Sequence, residues 1–363
     1  MKRLGLTLLG LVTMVGVVAL PAGAQSLTKV TLQLKWVDQA QFAGYYAAVD
    51  QGFYKNQGLD VTLLPGGPDV IPEQVVAGGK ANFGLDWLPS LLATREQGAN
   101  IVNVAQVFAR SGMREVSFKS KNISSVADLK GHFVGVWLGG NQFELFAALV
   151  KNKMDPENAG DADIVSQPFD MSLLLKGQVD AAAAMTYNEY AQVLEQPNPA
   201  TGKLYSPDDL NVIDFNKEGT AMLEDGIFAN GDWLSQAGNT DVATKFLAAS
   251  FQGWAYCRDN VDDCVKSTLA RGTALPKGHQ TWQMNEINKL IWPNTLGIGI
   301  MDPVLYKQTV DIALKYKVVS KQPSDAAMRT DLAQAALKLL GDKFDALGKD
   351  YKPITVTLTA GGQ

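Results

Sequence analysis

The chain is poor in the residues that most enzymes lean on. Its 363 residues include two histidines and two cysteines. Neither His132 nor His279 stands in metal-ligand spacing with a second donor. There is no Gly-x-Ser-x-Gly elbow, which argues against a hydrolase nucleophile. No Gly-Lys-Ser/Thr ends a glycine-rich loop, so a phosphate P-loop is excluded. Paired carboxylates occur, as in any acidic chain, without a glycosidase-like pattern. Beyond the N-terminus no segment approaches 18 uninterrupted apolar residues, so no second membrane span is expected. The formal net charge is −5. With no basic stripe, that balance fits poorly with nucleic acid or an anionic membrane as partner. No internal repeat or low-complexity tract is found.

What the chain does have begins at its start. Lys2 and Arg3 precede an apolar run from Leu4 to Leu20, then Pro21 and Ala22-Gly23-Ala24. This pattern reads as a secretory signal, residues 1–24, with an A-x-A cleavage site near Ala24. An uncleaved membrane anchor is the plainer alternative, and the small-residue triplet favours removal. No cysteine follows the cut, so lipid attachment is not expected. The expectation is an exported, periplasmic protein starting near Gln25, away from ATP and reduced nicotinamide. Cys257 and Cys264, an even and closely spaced pair in an exported chain, read as a disulfide. So small a loop contributes roughly 2 kcal/mol.

Hydrophobic periodicity predicts an α/β chain. Val30–Leu34 alternates as a strand, 42–57 reads as a helix stopped by Gly58, and Leu59–Leu64 is a second strand ended by Pro65-Gly66-Gly67-Pro68. A helix near 70–78, a strand at 82–85, a helix near 89–97 and a strand at 101–107 follow. After Gly112 the pattern restarts, with strands at 133–137, 164–165 and 179–185 and helices at 141–153 and 170–176. From Phe228 the chain reads as largely helical, over 241–258, 260–271, 280–290, 302–315 and 324–340. The tail at 354–358 is either a late edge strand or a frayed end. Strands alternating with helices predict mostly parallel sheets covered by helices.

Ligands in open parallel sheets bind beyond the carboxyl ends of strands. The strand-to-helix turns therefore supply the candidates. Trp36, Gln39 and Gln41 follow the first strand, and offer a stacking face and amide hydrogen-bond edges. Trp36 and Phe42 could instead seal strand to helix, and Tyr46 reads as core. Gly66-Gly67 could offer free backbone N–H groups, or be an ordinary turn. Asp86 could meet a ligand amino group and Trp87 could stack, or the two could simply start a helix. Gly139-Gly140-Asn141 gives the second unit its own turn. Tyr187, Asn188 and Glu189 end the alanine-rich strand and read as recognition residues. Glu224 and Asp225 are equally readable as hinge hydrogen-bonders or ligand contacts.

Several of these stretches together carry a family resemblance. Leu34-Lys35-Trp36, Gly44-Tyr45-Tyr46, Gly52-Phe53-Tyr54, Gly58-Leu59-Asp60-Val61, Pro65-Gly66-Gly67, Ala77-Gly78, Phe83-Gly84 and Tyr187-Asn188-Glu189 resemble the periplasmic solute-binding proteins of ABC importers. Within that superfamily the chain is most similar to the branch related to the thiamine-pyrimidine-precursor synthases. The resemblance covers roughly residues 28–315. It implies a two-lobe periplasmic binding protein fold of type II, with two crossover strands and a ligand cleft between the lobes. The lobes would be 28–112 with the returning segment 226–345, and 113–225, followed by a tail, 346–363. It further implies a monomer without cofactor or catalysis. Such a protein captures a small heterocycle, such as a thiamine pyrimidine precursor or riboflavin, and delivers it to a membrane permease. Trp36, Gln39, Gln41, Gly67, Asp86, Trp87, Asn141, Tyr187, Asn188 and Glu189 would form the site. The synthases of the branch use a lysine and a histidine where this chain has Asp86 and Ser90. Another of their histidines is replaced by Phe42, and their cysteine-rich iron segment has no counterpart near Leu223–Ala229. Synthase activity is therefore not expected.

Overall fold

A computed structural model describes residues 26–272 and 274–363. The secretory signal expected over residues 1–24 lies outside the described residues. Ten strands form two five-stranded sheets. The strands are β1 (Thr28–Gln33), β2 (Leu59–Leu64), β3 (Phe83–Asp86), β4 (Ile101–Gln106), β5 (Met113–Phe118), β6 (Phe133–Val136), β7 (Asp163–Ser166), β8 (Ala181–Met185), β9 (Leu210–Asp214) and β10 (Gly226–Asn230). The first sheet has the order β2-β1-β3-β10-β4 and the second β7-β6-β8-β5-β9. Each sheet is the floor of one α/β lobe. The chain crosses between the lobes twice, from β4 to β5 and from β9 to β10.

The sheets are mixed, which corrects the expectation of mostly parallel pairing. β10 runs antiparallel to both β3 and β4, and β5 to both β8 and β9. The other pairings are parallel. In each sheet one strand is reversed, and it is the strand that arrives directly from the other lobe. Those strands, together with β9, escaped the periodicity reading for local reasons. In β5, Arg114 and Glu115 interrupt the apolar alternation, and Glu115 is nevertheless buried. β10 is buried throughout, so its Gly-Ile-Phe-Ala-Asn run shows no alternation at all. The predicted helix over 42–57 is three pieces: a 3-10 turn at Ala40–Phe42 and helices Ala43–Asp50 and Phe53–Asn56. The break falls at Gly52, whose φ of 73° is open to glycine. The tail at 354–358 is not a strand. It leads into a 3-10 turn, Ala360–Gly362, seated on helix Lys277–Ile291.

Close packing fixes the floor of the first lobe. A Cβ on Gly44 would lie 2.2 Å from the Trp254 ring, and one on Gly253 2.0 Å from the Gly44 carbonyl oxygen. Only glycine at both positions lets helices Ala43–Asp50 and Asn239–Asp259 cross at that distance. Tyr54, Phe246 and Phe83 stack in series, with ring centres 5.4 and 4.2 Å apart. Such pairs are worth about 0.5–1.5 kcal/mol each beyond the area they bury. Cys257 and Cys264 are bonded and buried, and join the end of helix Asn239–Asp259 to helix Val261–Leu269. Among the described residues no helix is long and apolar enough to cross a membrane, and no cluster of His, Cys, Asp and Glu is arranged to hold a metal.

The two crossovers are tied to each other. The Glu224 carboxylate accepts the Gly112 N–H at 3.0 Å, the Met113 N–H at 3.1 Å and the Ser111 hydroxyl at 2.7 Å. Glu144, from helix Phe143–Lys151, accepts the Met222 N–H at 2.7 Å and lies 3.0 Å from the same hydroxyl. Burial pushes Glu224 up to about 7 despite its amide donors, and Glu144 well above the carboxyl range. The expectation for Glu224 is thereby decided in favour of hinge hydrogen bonding.

Candidate functional site

The carboxyl ends of the strands from both lobes face one cleft. Its inner compartment has about 380 Å³ of empty space, part of it open to solvent. Trp36, Gln39, Gln41 and Trp87 line it from the first lobe, and Asn141, Tyr187, Asn188 and Glu189 from the second. Lys35, Trp137 and Met185 line it as well. A wider outer compartment of about 1050 Å³ opens beyond it, and there Gly67 and Asp86 are found. The structure thus brings eight of the ten predicted site residues to the inner compartment and leaves two at its mouth.

The first wall is built on the parallel neighbours β1 and β3, whose ends lie side by side. That register brings Lys35, after β1, onto Asp86, the last residue of β3, in a buried ion pair. The same Asp86 oxygen accepts the Trp87 N–H at 2.6 Å. That oxygen of Asp86 is therefore engaged by Lys35 and Trp87, while the residue lines the outer compartment. Lys35 lines the compartment, with its ammonium 5.8 Å from the Trp87 ring centre. Burial alone would lower the Lys35 pKa, but Asp86, Glu73 and Asp225 outweigh it and the net shift is upward. Glu73, fully buried in helix Pro72–Ala77, has no hydrogen-bond partner among the described residues. Burial and the nearby Asp86 charge push it up to about 8, so at neutral pH it is mostly the uncharged acid.

An amide relay completes this wall. The Gln41 side-chain N–H donates to Asp225 at 2.6 Å, and Gln39 donates to the Gln41 oxygen at 2.7 Å. Asp225 itself sits in the second crossover with a φ of 43°, a conformation that costs a non-glycine residue energy and is held by its surroundings. Burial raises its pKa to about 6 while Gln41 opposes the shift. Because the relay fixes both amides with their nitrogens pointing toward Asp225, the Gln39 oxygen is left as an acceptor beside the cleft. It has no partner among the described residues.

In the glycine turns several N–H groups are engaged within the chain. The Gly66 N–H donates to the Trp36 carbonyl at 2.9 Å. A Cβ there would lie 2.4 Å from the Lys35 backbone, so Gly66 exists to let the two strand ends meet. The Gly139 and Gly140 N–H groups donate to the Gln142 side chain at 3.2 and 2.9 Å. Neither turn presents these amides to a ligand. Phe42 and Tyr46 are core residues.

The second wall centres on Glu189. Its carboxylate accepts the Met185 N–H at 3.0 Å and the Asn188 side-chain N–H at 2.7 Å. Burial pushes its pKa up to about 7, opposed by those donors and by His279. Tyr187 is buried edge-on to Phe108, with ring centres 6.3 Å apart. At the mouth, Trp36 meets Phe169 of the other lobe edge-on at 6.3 Å.

Sequence reasoning missed Lys35, Trp137 and His279. Trp137 could have been found, because it follows β6 as Trp36 follows β1. Lys35 needed the β1–β3 register, and His279 lies 91 residues from its partner Asn188.

Two lobes joined by two crossovers, with one reversed strand in each sheet and a cleft at the strand ends, define the periplasmic binding protein fold. The aliphatic sulphonate binding protein SsuA of Escherichia coli superposes with a TM-score of 0.60 at 16% identity, over 92% of this chain and 94% of that one. The chain belongs to the NMT1/THI5-like family, whose model matches residues 39–263. It is 24% identical over 302 residues to the riboflavin-binding protein RibY of Chloroflexus aurantiacus, covering 80% of this chain and 81% of that protein. It is 23% identical over 250 residues to the formylaminopyrimidine-binding protein of Halalkalibacterium halodurans, covering 68% and 71%.

Proposed function

We propose that this chain is the exported solute-binding subunit of an ABC importer. It captures a small, flat heterocycle rich in N–H donors and leaves it chemically unchanged. One observation carries the reading: Gln39, whose side-chain oxygen has no partner among the described residues, and Glu189 line the inner compartment from opposite walls, together with Trp36, Trp87, Trp137 and Tyr187. An aminopyrimidine or a flavin ring supplies such donors at its edge and a π-face for stacking. The neutralisation of Lys35 by Asp86 supports an uncharged ligand over a sulfonate or phosphate. The similarity to binding proteins for riboflavin and formylaminopyrimidine supports the same chemistry. Delivery to a membrane permease, export with cleavage near Ala24 and a monomeric state complete the proposal. The synthase alternative is disfavoured because Asp86 and Ser90 stand where that chemistry needs a lysine and a histidine.

Calorimetry with riboflavin and with formylaminopyrimidine tests the reading, together with mass spectrometry of small molecules released from the purified protein. One ring should saturate a single site. Trp36→Ala should weaken it by roughly 1–3 kcal/mol if the indole stacks. Glu189→Gln should weaken it by about 1.5–3 kcal/mol through loss of a charge-assisted hydrogen bond. Unchanged affinity in both variants would place the ligand elsewhere.

A further inference from the structure

We propose that His279, which does not line the inner compartment, is the positioning residue that makes Glu189 a hydrogen-bond acceptor there, by fixing the Asn188 amide from the opposite lobe. The inference rests on the reading of Glu189 as a ligand contact. Its geometry stands on proton counting. The Asn188 side-chain nitrogen donates to Glu189 Oε1 at 2.7 Å, so its oxygen is the atom 2.8 Å from His279 Nε2. A carbonyl oxygen only accepts, so Nε2 carries a hydrogen. On the other side of the ring, Nδ1 lies 2.9 and 3.0 Å from the two oxygens of Glu195, with one proton held between them. Gln192 also reaches the Asn188 oxygen, at a longer 3.3 Å. Inverting the Asn188 amide would set its oxygen against the Glu189 carboxylate. Two acceptors tolerate that contact only if Glu189 takes a proton, and Glu189 would then offer the ligand a donor. His279 thus selects which hydrogen-bond pattern the pocket reads.

The contact also spans the cleft. Helix Lys277–Ile291, which carries His279, packs on helix Val261–Leu269 and on the 3-10 turn Ala40–Phe42 of the first lobe. The neighbouring Gln280 accepts the Ala40 N–H at 2.8 Å. Asn188, Glu189 and Glu195 belong to the second lobe. The acceptor is therefore completed only when the lobes are together. The C-terminal turn covers the pair: a Cβ on Gly362, whose φ is 70°, would lie 2.7 Å from His279 and 3.0 Å from Glu195. The titrating groups that face Glu189 are His279 from that helix and Tyr187 from its own turn. The alanines of β8 add none, and Lys35 on the opposite wall is held by Asp86.

The test follows the Glu189 carboxyl carbon by NMR in ligand-free protein, assigned with Glu189→Gln. In the unaltered protein it should titrate near pH 7. The double variant His279→Met with Glu195→Gln removes the ring without leaving a buried charge unpaired. Its Glu189 midpoint should rise by a unit or more, so that its ratio of ionised to neutral form at pH 7 falls about tenfold. His279→Gln, whose nitrogen can take the place of Nε2 but carries no charge, should bring the midpoint back down from the double variant's value toward the original one. An unchanged midpoint in the double variant, or no such return with glutamine, overturns the proposal. Should the double variant fail to fold, the nitrogen shifts of the imidazole in a His132→Gln background decide the matter. A hydrogen on Nε2 supports the proposal and a bare Nε2 overturns it. None of these readouts needs a ligand. Failure of riboflavin and formylaminopyrimidine to bind would count against the proposed function alone.

Discussion

The two walls of the cleft use one device in two ways. On each, a buried carboxylate anchors a side-chain amide, and the amide orients an oxygen beside the ligand space. On the first wall the anchor is Asp225 in the second crossover, and the chain Asp225–Gln41–Gln39 runs through the strand ends of the first sheet. On the second wall the anchor is the Glu195–His279 pair, half of which comes from the opposite lobe. The first wall can hold its shape with the lobes apart, whereas the second cannot. The first wall is also denser in ionisable groups, with Asp86, Glu73 and Asp225 all acting on Lys35. It reads as a fixed platform, and the second as the part that responds to closure.

The largest effect expected of a single change falls on that platform. Lys35→Met would strip Asp86 of its partner in a buried pair. Removing one partner of a buried pair costs about 3–5 kcal/mol, and urea unfolding of the variant should show a loss of that order. Glu195→Gln, which leaves the His279 ring a hydrogen-bond partner, should lose much less. If the two cost the same, the walls do not differ as described.

Acidity offers a second comparison. Glu73 is pushed up to about 8, Glu189 and Glu224 to about 7 and Asp225 to about 6, all by burial first. Unfolding returns them to the ordinary carboxyl range. Between about pH 4.5 and those folded values the native chain binds protons that the unfolded chain has released, so stability falls as pH rises. The expected loss between pH 5 and pH 8 is at least about 2–3 kcal/mol, equivalent to about two pKa units of net shift. Denaturant titrations at the two pH values measure it. Glu73→Gln should flatten part of the fall toward its upper end, where Glu73 contributes. A stability that rises across this window would mean that these carboxyls are ionised in the native state.

The same contrast explains what the sequence disclosed. Strand ends were legible because a strand announces itself by alternation and a ligand cleft sits beyond its carboxyl end. Trp36, Gln39, Trp87 and the Tyr187–Glu189 run all fall there. The roles of individual polar groups were not legible. Asp86 looked free because its partner is fixed by the β1–β3 register and not by local spacing. His279 looked idle because its partners lie in the other lobe. The reversed strands β5 and β10 were missed because buried charge in one and uniform burial in the other erase the period-two signal. The resemblance implied two crossover strands, at lobe boundaries of 112/113 and 225/226, without saying which strand of each sheet is reversed.

The smallest effect expected separates the two acceptors. Gln39→Leu removes the acceptor on the platform but leaves the anchor, since Gln41 still donates to Asp225. The loss in affinity should be about 1 kcal/mol, that of a neutral hydrogen bond, and should not change with pH, because no titrating group is altered at the ligand. Glu189→Gln should cost more, and the affinity that remains should lose the pH dependence centred near 7. Calorimetry of both variants at pH 6 and pH 8 distinguishes the walls. A pH-dependent loss in Gln39→Leu would show that Asp225 reports through Gln41 to the ligand. The first wall would then be as responsive as the second, and its description as a fixed platform would fail.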